Sequence, residues 1–467
     1  MGTLMGLMSL SRLALDADQT AINTTANNVA NESTAGYTRE VVTFAASDAV
    51  SLSGQQGLGE GVSATVSSVR DRVLDQMLQQ QTQTTSQSST QLSALQSLQS
   101  LFGLSASSTN ASSTTMGSAL DGFFSSLTSL ASNPSNAAAQ TAVLTAASTL
   151  AAAFNSTAQG LNSQTSQLNQ GIATSAQQVN GLTSSIAQLN QQISSLSPTA
   201  DAGALEDQRQ QDILQLSGIV GVNQITTENN GVTLTTSSGA VLVSGTQSYA
   251  LSTTNVNGNT QLVGGTPPAT MSDIQGGSIG GMMQARDQNI PAMLSTMDQL
   301  ANTIGTAINT QNQQGLTSTG AAGGAIFSLP STTAGSAAGI SVIATGTSAI
   351  ATAGAGEGAS GTTNALALAN LATNPIVGGQ TASSFYSSFI GQIGDTVAST
   401  TSSNTAQTAA LNQVQTQVNS LSGVSFDDEA SNLTLYQKSY EAAAKVMTIV
   451  DQLMSDALNL GQQTTVS

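Results

Sequence analysis

Apolar residues in this chain recur mostly every seven positions, with a second set three or four residues away. That is the period of helices that pack along a narrow seam. At the N-terminus Met1, Met8, Leu15, Ile22 and Val29 fall at sevens, with Leu7, Ala14 and Ala21 beside them. They predict one amphipathic helix over about residues 3–31. Asn27, Asn28 and Asn31 crowd its end, and Gly36 breaks it. The C-terminus mirrors this pattern. Leu433, Tyr440, Met447 and Met454 alternate with Tyr436, Ala443, Val450 and Ala457. Seams at both extreme ends, where chains usually fray, predict that the two ends pair with each other and with copies in neighbouring subunits. The plainer alternative is a pair of core helices in a globular domain.

The longest seam lies between them. Leu144, Ala151, Ala158, Thr165, Ile172, Val179, Ile186 and Ile193 hold one position; Ala147, Phe154, Leu161, Leu168, Ser175, Leu182, Leu189 and Leu196 hold the other. At 1.5 Å per residue this predicts a rod on the order of 80 Å long, ended by Pro198. A partner seam comes late, with Ile390, Val397, Leu411 and Val418 beside Ile393, Val414 and Leu421. Helices at about 70–102 and 286–312 complete a bundle, and 105–115 is a Ser/Thr-rich break. Alternation over 219–224 and 231–243, weaker over 247–263, predicts one small β unit at 219–263. Residues 317–365 are rich in Gly, Ala, Ser and Thr and read as loop with short strands. The expected fold is therefore mainly α: a long coiled-coil-like helical bundle rod, paired terminal helices and a small β unit. The expected division is 1–68 with 425–467 as a discontinuous terminal region, and 69–424 as the rod.

Composition narrows the function. Only 7% of the 467 residues are charged and 3% aromatic, with no Trp. About 25% charged is ordinary, so packing must rely on small side chains and aliphatic stripes. The formal net charge is −17 with eight basic residues. Of these, Arg70 and Arg72 are the close pair, which argues against nucleic-acid binding and docking on an anionic membrane. No 18-residue apolar stretch predicts a membrane span, and no secretory signal pattern is visible. The absence of Cys and His removes thiolate chemistry, the commonest general base and the commonest metal ligand. No cofactor and no metal site are expected.

Three motifs remain as candidates for chemistry. Asp427-Asp428-Glu429 is the densest charge cluster. Paired carboxylates serve glycosidases, but here they follow Ser425 and suit the first turn of a helix, opposing its dipole. Asp207-Gln208-Arg209, with Asp212 three residues beyond Arg209, reads as an intrahelical or cross-helix ion pair. Gly57-Leu58-Gly59-Glu60-Gly61 lacks the spacing of a phosphate loop and reads as a turn. No catalytic residue is assigned.

Residues 20–40 carry a more specific signal. Ala21, Asn23, Asn27, Asn28, Val29, Ala30, Asn31, Thr34, Gly36 and Tyr37 resemble the A-x-N-x-x-x-N-N-(I/V)-A-N-x-x-T-x-G-Y signature of flagellar axial proteins. Thr38-Arg39 is closer to the hook-associated protein 1 (FlgK) family than to hook or rod proteins. So are Asp121-Gly122-Phe123-Phe124 with Ser129 to Pro134, Leu205 to Arg209 followed by Gly218 to Val222, Gly277 to Gly281 with Arg286-Asp287, and Ser422 to Glu429 followed by Asn432-Leu433, Tyr436-Gln437 and Tyr440. The chain is similar to that family over most of its length. It departs at Ala139, where the family commonly has Arg, and 317–360 is too short for the β-rich outer domain of many members.

The resemblance implies a secreted structural protein of the hook–filament junction that is not an enzyme. It implies export through the flagellar type III apparatus, an escort of the FlgN type on the C-terminal helix, termini that order on assembly, and three neighbours: further copies of itself, the hook protein and the second junction protein. The interface residues expected on this reading are Met8, Leu15, Ile22, Asn27, Asn28, Val29, Gly36 and Tyr37 near one end. Near the other they are Leu433, Tyr436, Tyr440, Met447, Val450 and Met454, read as an exposed stripe. The alternatives are another axial protein (second junction protein, hook, distal rod or flagellin), a non-flagellar coiled-coil fibre, or a carboxylate-based hydrolase.

Overall fold

The computed structural model describes residues 2–34, 36–46, 61–103, 115–196, 202–226, 230–265, 267–358 and 360–463. Most of the break at 105–115 and the Gly-rich turn at 57–60 lie outside them. Both ends of the chain are helical. Helix α1 (Gly2–Ala30) packs against α11 (Phe426–Gln463), and the antiparallel hairpin β1 (Glu40–Ala46) and β2 (Val62–Ser68) lies against α1. These four elements form a terminal unit.

Everything else is inserted between β2 and α11. Helix α2 (Arg72–Leu101) leaves the hairpin, capped by the Asp71 side chain on the amides of Val73 and Leu74. Helix α10 (Ala382–Ser422) returns alongside it. Much of the α2–α10 seam is polar: Gln81 donates to the Gln407 carbonyl at 3.0 Å, and Ser88 to Asn404 Oδ1 at 3.0 Å. Of the late seam expected on α10, Ile393 and Val414 are buried, Ile390, Val397, Leu411 and Val418 half-buried, and Leu421 exposed. Amide side chains do there what aliphatic ones do elsewhere.

The rod is organised by α4 (Ala137–Ser195), whose 59 residues span about 90 Å. An N-terminal window of it is apolar enough to cross a membrane by composition. Its apolar face is instead covered by α3 (Met116–Ser132), α5 (Gly203–Ile219) and the helices that follow. Phe154, Leu161, Ile172, Val179 and Ile186 are fully buried. Phe123 of α3 stacks edge-on with Phe327 at 5.8 Å, and Phe102 with Phe389 at 5.3 Å, so the few aromatics concentrate where α2, α3 and α10 converge.

The β region is larger than the sequence pattern suggests, and it is split. Strands β3 (Val222–Thr226), β4 (Val232–Thr236), β5 (Val241–Ser244) and β6 (Gln247–Ser248) form one antiparallel sheet. Strands β7 (Ser252–Val256), β8 (Asn259–Gly264) and β9 (Ala269–Met271) form a second. The weak alternation beyond 247 has a physical reason: β7 is exposed on both faces. Helix α6 (Gly277–Gln284) then passes through a π turn at Ala285–Asn289 into α7 (Ile290–Gln314). The π turn points Arg286 inward, where it is 2% exposed and donates to Asp287 and to Asn169 Oδ1 at 2.9 Å. Residues 317–365 pack closely. Strands β10 (Phe327–Ser328) and β11 (Ser341–Val342), the turn α8 (Ser336–Gly339) and the start of α9 (Thr363–Asn370) bury Ile326, Phe327, Ile340 and Ile350. Asn155 of α4 and Asn309 and Asn312 of α7 bond their backbone.

Candidate assembly interface

Asn28 is the knot of the terminal unit. It is 1% exposed. Its amide donates to the Glu40 carbonyl at 2.8 Å and to Glu429 Oε2 at 3.1 Å. Its oxygen accepts from the Tyr37 hydroxyl at 2.8 Å and the Glu40 amide at 3.0 Å. One side chain thus ties α1, the loop after it, β1 and the first turn of α11. Of the acidic trio, Asp427 and Asp428 are exposed while Glu429 is buried against Asn28. Ser425 Oγ lies 3.5 Å from the Asp428 amide at the helix start. Asn27 is exposed and takes no part in this knot.

The seams of the terminal helices do not lie as expected. On α1 the buried face is centred on Ala17, Ala21, Thr24, Thr25 and Asn28, which are small or polar. Met8, Leu15, Ile22 and Val29 stand at its edge, half-buried. Small residues let two backbones approach, so the tightest contact falls beside the apolar stripe. On α11 the residues read as an exposed stripe are covered: Val450 is 1% exposed, and Leu433, Tyr436, Tyr440, Met447 and Met454 are half-buried. Tyr436 also meets Phe44 of β1 at 6.0 Å.

A different stripe of α11 is bare. Leu435 is 62% exposed, Ile449 58%, Leu453 49% and Val446 43%. At about 100° per residue these four share one face, roughly 110° around the helix from the covered seam. Lys438 and Lys445 flank it. Sequence reasoning found one apolar stripe on this helix and missed the second, although the spacing 435, 446, 449, 453 carries it.

Where the terminal unit meets the rod, the contacts are polar and charged. Asp207 of α5 is buried and accepts from the Thr38 amide at 2.9 Å and the Thr38 hydroxyl at 2.7 Å. It also pairs with Arg70, which reaches Glu206 at 3.4 Å and Asp75 at 3.7 Å. Burial is the main influence on the Asp75 carboxyl and raises it to about 6, partly opposed by the Arg70 charge. The Asp207 pair is therefore cross-element. The Arg209–Asp212 pair does not form among the described residues. Arg209 donates to Asn190 Oδ1 at 2.9 Å and to the Asn230 carbonyl at 2.6 Å, and Asp212 accepts from Ser185 at 2.6 Å. Gly36 has φ +79°, and a Cβ there would lie 2.4 Å from Gln211 Nε2, which is the reason for glycine at that point.

These features can be set beside known proteins. The profile of the "Flagellar hook-associated protein FlgK helical domain" matches residues 105–327. Those of the "Flagella basal body rod protein" and the "Flagellar basal body rod FlgEFG protein C-terminal" match 10–38 and 415–460. Flagellar hook-associated protein 1 of Bacillus subtilis is 29% identical over 98% of both chains. The chain is thus similar to flagellar hook-associated protein 1 over nearly its whole length. The Escherichia coli member is 28% identical over 69% of this chain and 60% of its own length. In structure, the flagellar hook junction protein FlgK from Burkholderia pseudomallei aligns with TM-score 0.67 and 18% identity, covering 74% of this chain and all of that one. The axial signature acquires a physical content in this chain: Asn28 and Tyr37 close the terminal unit, and Thr38 fastens it to the Asp207 block.

Proposed function

We propose that this chain, a structural protein of the hook–filament junction of the bacterial flagellum, polymerises through the bare face of α11. One observation carries the reading: a helix already paired along one seam presents a second apolar stripe, Leu435, Val446, Ile449 and Leu453, to solvent. The partner is the terminal unit of a neighbouring copy, where the half-buried edge of α1 at Met8, Leu15 and Ile22 offers matching aliphatic surface. Burying each large residue contributes roughly 1.5–3 kcal/mol before ordering entropy is subtracted. An open helical array needs such unlike surfaces above and below each subunit. The hook protein and the second junction protein then contact the two ends of the array. In this reading the protein is exported by the flagellar type III apparatus and acts outside the cell without enzymatic activity.

The same bare stripe is the surface a FlgN-type escort would cover before export, in place of the Tyr440 and Met447 stripe that α1 already covers. Replacing Ile449 and Leu453 together with Asp is the test. Escort binding and junction assembly on hooks should both fail while rod melting stays unchanged. Normal junctions from that variant would overturn the reading. Tyr440→Asp with Met447→Asp should instead release α1 from α11, seen as accelerated amide exchange in both helices.

A further inference from the structure

The chain crosses between the terminal unit and the rod twice, at the β2–α2 link, 69–71, and the α10–α11 link, 423–425, and residues 36–39 of the terminal unit lie beside both. Arg39 joins the two sides: its carbonyl accepts from Val69 N at 2.8 Å, and its amide donates to the carbonyl of Ser422, the last residue of α10, at 2.9 Å. Residues 36–39 and the 69–71 link are thereby held together as one strap. Beneath the strap a cleft of about 510 Å³ is lined by Glu32, Tyr37, Asp75, Gln211 and Asn419 among others, leaving room for the strap to shift. Asp207 is the rod residue that holds this strap at two separate points. It grips Thr38 through both amide and hydroxyl, and it grips Arg70, on the 69–71 link, through its guanidinium.

We infer that Asp207 is a latch that fixes the angle between the terminal unit and the rod, and that releasing it lets the terminal unit swing over the cleft as one body. The knot at Asn28 lies wholly inside the terminal unit, so that unit stays closed while it moves. Arg70 is shared among Asp75, Glu206 and Asp207, with Asp71 and Arg72 on the same helix and Arg209 on α5.

The chain has no cysteine, so paired spin labels can be placed without background. Labels at Ser439→Cys on α11 and Ser129→Cys on α3, both exposed, report the angle in the full-length monomer. With Asp207 intact the distance distribution should be narrow. Asp207→Ala should broaden it at least twofold, and Thr38→Val, which leaves the rod untouched, should broaden it in the same direction. Asp212→Asn, on the same helix outside the strap, should leave it narrow. A narrow distribution in Thr38→Val with unchanged helical content would overturn the latch, even if Asp207→Ala unfolded the rod. The measurement is made on monomers, so its failure is separable from a failure to assemble.

Discussion

Helices α4 and α11 carry similar seven-residue patterns and end in different circumstances. Around α4 the inserted chain supplies partners for successive faces: α3, α5 and the helix run through α6 and α7 cover it in turn, and Phe154 and Leu161 have no exposed surface. Around α11 the described chain supplies α1 and the hairpin and leaves Leu435, Val446, Ile449 and Leu453 bare. A hydrophobic period states that a face will be covered. It does not state whether the covering surface belongs to the same molecule.

The comparison can be broken most forcefully in the rod. Phe154→Ala should cost about 3–5 kcal/mol, because a fully buried ring leaves a cavity that neighbours on several sides cannot fill; urea melting of the variant checks this. Leu453→Ala, on the bare stripe, should leave the monomer's melting unchanged. Next in size, Asn28→Ala should weaken closure of the terminal unit by about 2–3 kcal/mol. It strands a buried carboxylate and backbone groups of Glu40 at once, and hydrogen exchange at the start of α11 should speed up while α4 keeps its protection. Gly36→Ala should cost roughly 1–2 kcal/mol, from the left-handed backbone alone, with further loss if Gln211 cannot withdraw; the loss should appear in thermal melting.

The smallest effect is at Asp75. Its carboxyl is raised above the ordinary 3.8 to about 6, chiefly by burial. Its contribution to stability is therefore fully present below the ordinary value and is lost as pH rises through about 6. Asp75→Asn removes the buried charge, so the variant should melt slightly higher than the parent at pH 7.5, and the advantage should vanish near pH 4. An equal difference at both pH values would show that burial of charge is not what the substitution relieves.

How far these features were legible depends on sequence distance. The rod helix could be read because all sixteen of its heptad positions from Leu144 to Leu196 lie in one uninterrupted run. The wider β region could not, because β7 has no buried face and so no alternation to detect. Asn28 was visible as part of a motif, but its partner Glu429 is 401 residues away, and nothing local points there. The same holds for Asp207, whose nearest basic neighbour in sequence is Arg209 and whose actual partner is Arg70. Local spacing favours the Arg209–Asp212 pair. In the fold Arg209 is drawn off by carbonyl and amide oxygens that only the folded β4 turn and α4 bring near. The bare stripe on α11 was legible in principle and was masked by the stronger heptad beside it.

The bond between Asn28 and Glu429 has a consequence for the order of events in a newly made chain. Most rod elements, α2 with α10 excepted, contact one another over shorter sequence separations, and such contacts form early. The terminal unit cannot close until residues on the far side of the rod exist and have folded back. A chain interrupted between the end of α10 and Glu429 would hold a rod but no knot, and its α1 would have no α11 to lie against. Closure of the terminal unit thus reports that α11 has been made and has folded back onto α1.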